Sequence, residues 1–183
     1  MDLSRIATIY SHYKHNTIAQ EELILLVGER TSLEQRLVSL TGPQDVADFP
    51  LSPDLLHDLC RIAGLLFINR SLRVTETVSI RTSELMRELF CRLPSALVMF
   101  DHDESNKILL WTIFVGGTAA LEGSHRQWFV DKLAGMRRSF WLQRWEDARK
   151  FLQGYLWSAA HCAASYEGLW NAVIRSEIAK VKF

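Results

Sequence analysis

The sequence lacks an excess of charge of either sign. Lysine and arginine together number 21, and aspartate and glutamate also number 21, so the formal net charge is zero. A neutral chain has no overall field that would hold it on nucleic acid or on an anionic membrane. The composition therefore disfavours direct nucleic-acid binding by this chain alone, and it predicts no membrane partner.

Cysteine is scarce in this sequence. The three cysteines, Cys60, Cys91 and Cys162, are odd in number, far apart and set among apolar neighbours. Small secreted domains held by disulfides show denser and even sets. The first residues show no basic region followed by an apolar stretch, so no secretory signal is expected. Both observations predict an intracellular, reducing location.

The sequence also lacks long apolar runs and linkers rich in Pro, Gly or Ser. Its longest uncharged run, Ile108 to Leu121, is shorter than the roughly 18 residues that indicate a membrane-spanning helix. Hydrophobic residues form 48% of the chain, which is enough for a sizeable core. Because 183 residues without a linker match the size of one domain, we predict a single domain over residues 1–183.

Apolar residues recur at helical spacing along the chain, and no segment alternates for the length of a strand. The predicted fold class is all-α, a single-domain irregular bundle of roughly seven to nine helices. The first three helices are predicted at about 17–40, 53–69 and 78–93, and Pro94 is expected to end the third. A fourth helix is predicted from Ser105, and Gly123 is expected to end it. The later ones are predicted from 124 onward, at 144–164 and at 166–181. The broad apolar faces of the second and fourth predict central positions.

Local signals refine these helices. Capping-box patterns occur at Thr17–Gln20 and at Ser124–Gln127, and each predicts a helix start. Gly154 and Gly168 weaken helix propensity, so a kink or a close helix approach is expected there. Gly116-Gly117 lies inside an apolar helical run, which predicts small residues that allow tight helix packing.

His57 and Cys60 are the sharpest metal candidates. They lie three residues apart on one predicted helical face, and His161-Cys162 could join them if the last helices pack nearby. Structural zinc sites usually carry paired Cys-x-x-Cys or His-x-x-x-His motifs, and neither occurs here. We therefore predict core cysteines, a surface histidine and no metal.

Other motifs that could bind ligands or perform catalysis lack a required part. The tetrad Asp101–Glu104 lacks the acid spacing and central glycine of a calcium loop, which favours a solvated turn. No Lys-Ser or Lys-Thr follows Gly116-Gly117-Thr118, as a phosphate loop would require. No Gly-x-Ser-x-Gly elbow occurs. The sequence thus predicts no enzyme and no cofactor, and it assigns no catalytic, cofactor-binding or metal-binding residue.

Basic and aromatic side chains interleave late in the chain. Such a cluster could contact phosphate or an acidic partner, but we favour a solvated helix edge whose basic stems lie on aromatic rings. The residues are Arg137, Arg138, Trp141, Arg144, Trp145, Arg149 and Lys150. Five of the six tryptophans stand at predicted helical positions with apolar neighbours, namely Trp111, Trp128, Trp145, Trp157 and Trp170. We expect Trp111 and Trp128 to anchor the core.

Several segments together resemble a known family. Residues 109–120 contain a Leu-Trp-x-x-Phe-x-x-Gly-x-x-Ala pattern, and Arg126-Gln127-Trp128 follows it. Trp145-Glu146-Asp147-Ala148 and Tyr155-Leu156-Trp157 come next, and residues 59–67 look like an earlier helix of the same pattern. From Leu55 to Trp170 the chain resembles the fungal-specific transcription factor domain, the C-terminal regulatory region of zinc binuclear cluster transcription factors.

The resemblance implies an all-helical regulatory domain located in the nucleus. The cysteine-rich, DNA-binding cluster of such regulators does not occur in this chain, so no DNA contact or zinc ligand is transferred to any residue. A protein partner or a small apolar effector would then modulate activation, and the oligomeric state stays open, a homodimer included. The alternative is a small all-α protein that binds or transforms an apolar metabolite in a pocket between helices.

Overall fold

The computed structural model describes residues 20–39, 53–71, 80–100, 103–120, 123–157 and 159–181. Within these ranges every regular element is an α-helix. The seven described helices are α1 (Gln20–Ser39), α2 (Pro53–Ser71), α3 (Ile80–Met99), α4 (Asp103–Ala119), α5 (Ser124–Ser139), α6 (Trp145–Leu152) and α7 (Ala159–Val181). The all-α prediction is therefore confirmed, and none of these helices is long and apolar enough to cross a membrane.

α2 and α4 form the centre of the bundle. α4 packs against α2, α3, α5 and α7, and α2 also packs against α1 and α3. Every residue from 109 to 118 of α4 is buried, as is every residue from 61 to 69 of α2. Helices that are apolar on nearly all sides can be stable only inside a core. The predicted central positions of these two helices are confirmed.

Glycines allow other helices to approach α4 closely. A Cβ atom at Gly116 would lie 2.6 Å from the ring of Phe129 on α5 and 2.8 Å from Leu89 on α3. A Cβ atom at Gly117 would lie 2.7 Å from Leu169 on α7. These distances are shorter than carbon atoms tolerate, so the predicted role of the glycine pair in tight packing is confirmed.

Two arginines hold the C-terminal end of α4. Arg126 of α5 donates to the carbonyl oxygens of Gly117 and Ala120, both at 3.0 Å. Arg70, at the end of α2, donates to the carbonyl of Thr118 and, at 3.2 Å, to Oγ of Ser165 on α7. Carbonyl groups at a helix C-terminus lack intrahelical partners and carry partial negative charge, so guanidinium groups stabilise them there.

The prediction that Pro94 ends its helix is wrong, because α3 continues through Pro94 to Met99. A proline inside a helix removes one backbone hydrogen bond and costs about 3 kcal/mol. Leu93 and Ala96, on either side of it, are fully buried against the core. Their burial, which requires the helix to continue, offsets the local cost.

The predicted helix over 144–164 is also wrong, because two helices share that span. α6 ends at Leu152, and the amides of Gly154 and Tyr155 donate in turns to Phe151 and Leu152, at 3.1 and 3.0 Å. Trp157 lies in this connection and not in a helix, with 9% of its surface exposed. α7 then begins at Ala159 and runs through the predicted break between 164 and 166.

Some predicted helix ends are also corrected. α5 begins at Ser124, so the helix start that the Ser124–Gln127 pattern predicts is confirmed, but the N-cap is Gly123, at φ 87° and with no side-chain capping bond, and not Ser124. α4 begins at Asp103, before Ser105. No atom lies within 4 Å of a Cβ placed at Gly168, so no close approach occurs there. The predicted start at Thr17 lies outside the described residues.

Candidate functional site

The structure places the metal candidates of the sequence on two helices, α2 and α7. His57 is exposed and Cys60 half-buried on α2, and burial raises the pKa of the Cys60 thiol. Cys162 is buried on α7, and the side chain of His161 is outside the described part. Among the described residues, no group of three or more His, Cys, Asp or Glu could hold a metal ion.

The acidic tetrad is described only in part. Asp101 and His102 lie outside the described residues, and Asp103 begins α4. Glu104 is exposed in the first turn of α4, and its carboxylate accepts a bond from Lys107 Nζ at 2.8 Å. Glu104 therefore forms a surface ion pair.

The tryptophans differ widely in exposure. Trp111, with 5% of its surface exposed, stacks on Tyr155 at a ring distance of 6.1 Å, so its predicted core position is confirmed. Trp128 is only half-buried, and its edge contacts with Phe90 and Phe129, both at 5.1 Å, place it at the border of the core. Trp141 is 82% exposed.

The backbone at Trp141 forms a helix-terminating Schellman motif. The amide of Leu142 donates to the carbonyl of Arg137 at 2.9 Å, and the amide of Trp141 donates to that of Arg138 at 3.2 Å. These two bonds, together with Phe140 as the C-cap, define the motif that ends α5. Leu142 is buried beyond the turn, which anchors the motif on the core side.

Trp141 occupies the position of this motif that glycine usually takes. Its φ is 55°, and no other non-glycine residue in the described ranges has a positive φ. A left-handed conformation costs an L-residue about 1–2 kcal/mol, because Cβ comes too close to the following carbonyl oxygen. An exposed ring gains little burial in return, so folding does not explain this tryptophan. Strain of this kind is often kept for function.

Exposed basic side chains flank this turn along the chain. Arg138 lies in the last turn of α5, Arg144 is the N-cap of α6, and Arg149 and Lys150 stand on the outer face of α6. No carboxylate of the described residues pairs with any of these four side chains within 4.0 Å. We call Trp141 and these four basic residues the Trp141 corner.

The remaining charges near the turn have structural partners. The Arg137 guanidinium lies 5.4 Å from the ring centre of Trp170 and 3.4 Å from a carboxylate oxygen of Glu177. Asp147 accepts bonds from the backbone amides of Arg144 and Gln143, at 2.9 and 3.2 Å. The Arg144 amide lowers the pKa of Asp147, and the positive charges of Arg144 and Lys150 act in the same direction. Arg137 and Asp147 thus hold helix ends in place.

Aromatic contacts connect the corner to the core. Phe140, next to Trp141, lies 6.0 Å from the ring of Phe151 on α6. Phe151 lies 5.1 Å from Tyr155, and Tyr155 stacks on Trp111. The turn that displays Trp141 is therefore fixed on packed rings, and this packing holds the backbone at Trp141 in one place.

Comparison with known families matches residues 3–174 to the fungal-specific transcription factor domain. The chain belongs to this family. The match contains the residues 55–170 on which the sequence resemblance depended, and membership indicates a regulatory role in transcription. No curated protein and no solved structure matches the chain.

In this fungal-specific transcription factor domain, the sequence identified the residues of the Trp141 corner but not their arrangement. The interpretation of basic stems lying on rings holds for Arg137 over Trp170, but not for the exposed Trp141. The sequence carries no signal for the left-handed backbone of Trp141, because no glycine follows the basic last turn of this helix. Exposure itself depends on tertiary packing and could not be read from the pattern.

Proposed function

We propose that this chain is the regulatory module of a fungal transcription regulator, and that it acts in the nucleus by contact with a protein partner. The Trp141 corner carries this proposal. It presents a large apolar ring that is 82% exposed and held in a conformation that costs stability. Tryptophan and arginine are the side chains that most often dominate protein interfaces.

The zero net charge of the chain supports a protein partner over direct DNA contact. Binding to duplex DNA requires several phosphate contacts from a surface with a net positive field. The Trp141 corner is locally basic, but α6, which carries Arg149 and Lys150, also exposes the carboxylate of Glu146. A protein segment that carries apolar side chains beside its charges fits an exposed indole better than a uniform row of phosphates.

A transcription assay tests the proposal. The full chain is fused to an unrelated DNA-binding domain in a fungal host, and transcription from a reporter gene is measured for wild type and Trp141→Gly. We expect reporter output to change at least severalfold at equal protein level. Val98→Ala is the matched control, because Val98 is 86% exposed but lies on α3. Output unchanged by Trp141→Gly would contradict the proposal.

Buried polar atoms support a second candidate function, the binding of an apolar metabolite between helices. Trp111 Nε1, Thr112 Oγ1 and Asn69 Nδ2 are buried and make no hydrogen bond within the described part of the chain. A buried donor without a partner costs free energy, and an acceptor on a ligand would recover it. Apolar carbonyl compounds such as long-chain ketones should then raise the melting temperature of wild type but not of Trp111→Phe. Equal shifts in both proteins would contradict this candidate.

A further inference from the structure

The Trp141 corner offers an apolar contact that the fold does not use. A glycine at position 141 would satisfy the Schellman motif with less strain, and the indole covers little of the protein itself. The backbone that carries the ring is held by the hydrogen bonds of the turn, so little backbone freedom is lost when a partner packs against the ring. One apolar or aromatic side chain of a partner would bury the exposed face of this indole.

The charges around the ring determine what else the partner must carry. Arg138, Arg144, Arg149 and Lys150 are exposed and have no ion-pair partner among the described residues. Of the two nearby acids, Asp147 is occupied by backbone amides, which leaves Glu146 as the one exposed carboxylate of α6. Carboxylates on a partner would find exposed guanidinium groups before and after Trp141 along the chain, at Arg138 and Arg144, and such charge-assisted bonds are the stronger ones.

We propose that the Trp141 corner binds an acidic segment of a partner protein, in which an apolar or aromatic side chain lies between carboxylates. The apolar side chain packs on Trp141, and the carboxylates pair with Arg138, Arg144 and the basic residues of α6. This inference rests on the proposed function, since it names the chemistry of the partner that the regulatory module contacts.

A peptide-binding experiment on the full chain tests the inference. The probe is a fluorescein-labelled peptide of about 15 residues, comparable in length to common helix-sized motifs, in which Asp and Glu alternate with Leu and Phe. Anisotropy is measured for wild type, Trp141→Gly, the double variant Arg144→Gln/Arg149→Gln, and Val98→Ala as control. A second peptide replaces every Asp and Glu by Asn and Gln, and a labelled DNA duplex and single strand serve as competing probes.

We expect the acidic peptide to bind wild type and Val98→Ala equally. Trp141→Gly and the double arginine variant should each weaken binding at least about tenfold, and the amide peptide should bind wild type weakly as well. Binding should also fall as salt concentration rises. The melting temperature of Trp141→Gly should equal or exceed that of wild type, which separates loss of binding from loss of folding.

Three results would overturn the inference. Equal binding of the acidic and amide peptides would show that the carboxylates of the peptide do not contribute to binding. DNA binding through Trp141 with no peptide binding would assign the corner to nucleic acid. A wild-type chain that binds no acidic peptide, while Trp141→Gly still changes reporter output, would reject this partner chemistry but leave the proposed function intact. The proposed function fails separately, when Trp141→Gly leaves reporter output unchanged.

Discussion

At the scale of single residues, Trp141 lowers the stability of the fold, whereas Trp111 raises it. The left-handed backbone conformation of Trp141 costs free energy, and its indole buries little surface. Trp141→Gly should therefore raise the free energy of unfolding by about 1 kcal/mol. For a chain of this size, that corresponds to an increase of about 2–4 °C in melting temperature. Differential scanning calorimetry checks the sign. A clear decrease would mean that the indole packs against the protein after all.

Trp111 and Trp128 provide a graded comparison of burial. Trp111→Ala should cost about 3–5 kcal/mol, because it removes a buried ring that stacks on Tyr155. Trp128→Ala should cost clearly less, since Trp128 is half exposed and contacts Lys132 and Phe90 at the border of the core. Urea denaturation midpoints measure both. Equal losses would show that Trp128 is as central as the sequence predicted.

The phenol of Tyr166 should make the free energy of unfolding decrease with rising pH in the alkaline range. Burial raises the pKa of its phenol well above the usual value, with Cys162 adding to the shift, whereas the unfolded chain ionises near about pH 10. Below about pH 10 the phenol is neutral in both states, and its stabilising contribution is complete. Above this pH the phenol ionises first in the unfolded chain, so the free energy of unfolding decreases by roughly 1.4 kcal/mol per pH unit until the folded phenol also ionises. Tyr166→Phe should lower stability at pH 8, since it loses the bond with Cys162, but it should lose less than wild type between about pH 10 and 11. Parallel decreases of the two urea midpoints would contradict this assignment.

At the scale of helices, the packing around α4 predicts opposite effects for two similar substitutions. Gly116→Ala places a methyl group 2.6 Å from the ring of Phe129, which is fully buried and cannot move away. The expected loss is about 1–3 kcal/mol. Gly135→Ala on α5 meets no atom within 4 Å and should gain up to about 1 kcal/mol from helix propensity. Thermal melting of both variants checks the pair; a stable Gly116→Ala protein would show that α4 and α5 can separate.

Helix periodicity predicted α2 almost completely, because Pro53 marks its start and its apolar face is long and continuous. Local rules failed where distant contacts decide the backbone. At Pro94 the burial of Leu93 and Ala96 keeps α3 intact, and after Leu152 the buried Trp157 holds a loop where the residue pattern is helical. The basic residues of the candidate site were visible in the sequence. The left-handed backbone of Trp141 was not visible in the sequence, because no residue typical of such turns marks that position.

At the scale of the whole molecule, the neutral chain leads to an expectation about DNA. We expect no sequence-specific binding to duplex DNA at physiological salt, because no net positive field exists to release counterions from a duplex. Fluorescence anisotropy of the purified chain against labelled duplexes, with scrambled duplexes as competitors, measures this. Submicromolar affinity for one duplex over its scrambled competitors would refute the expectation.

The arginine bonds at the end of α4 have a consequence for the order in which the molecule is assembled during synthesis. Arg70 leaves the ribosome 48 residues before Thr118 and 95 residues before Ser165, the two partners of its guanidinium. A nascent chain that ends before α7 has α2, α3 and α4 available, but the side of α4 that packs against Leu169 and Trp170 is still open. We therefore expect the growing chain to need a chaperone, or to be open to proteases, until α7 emerges and covers this side of α4.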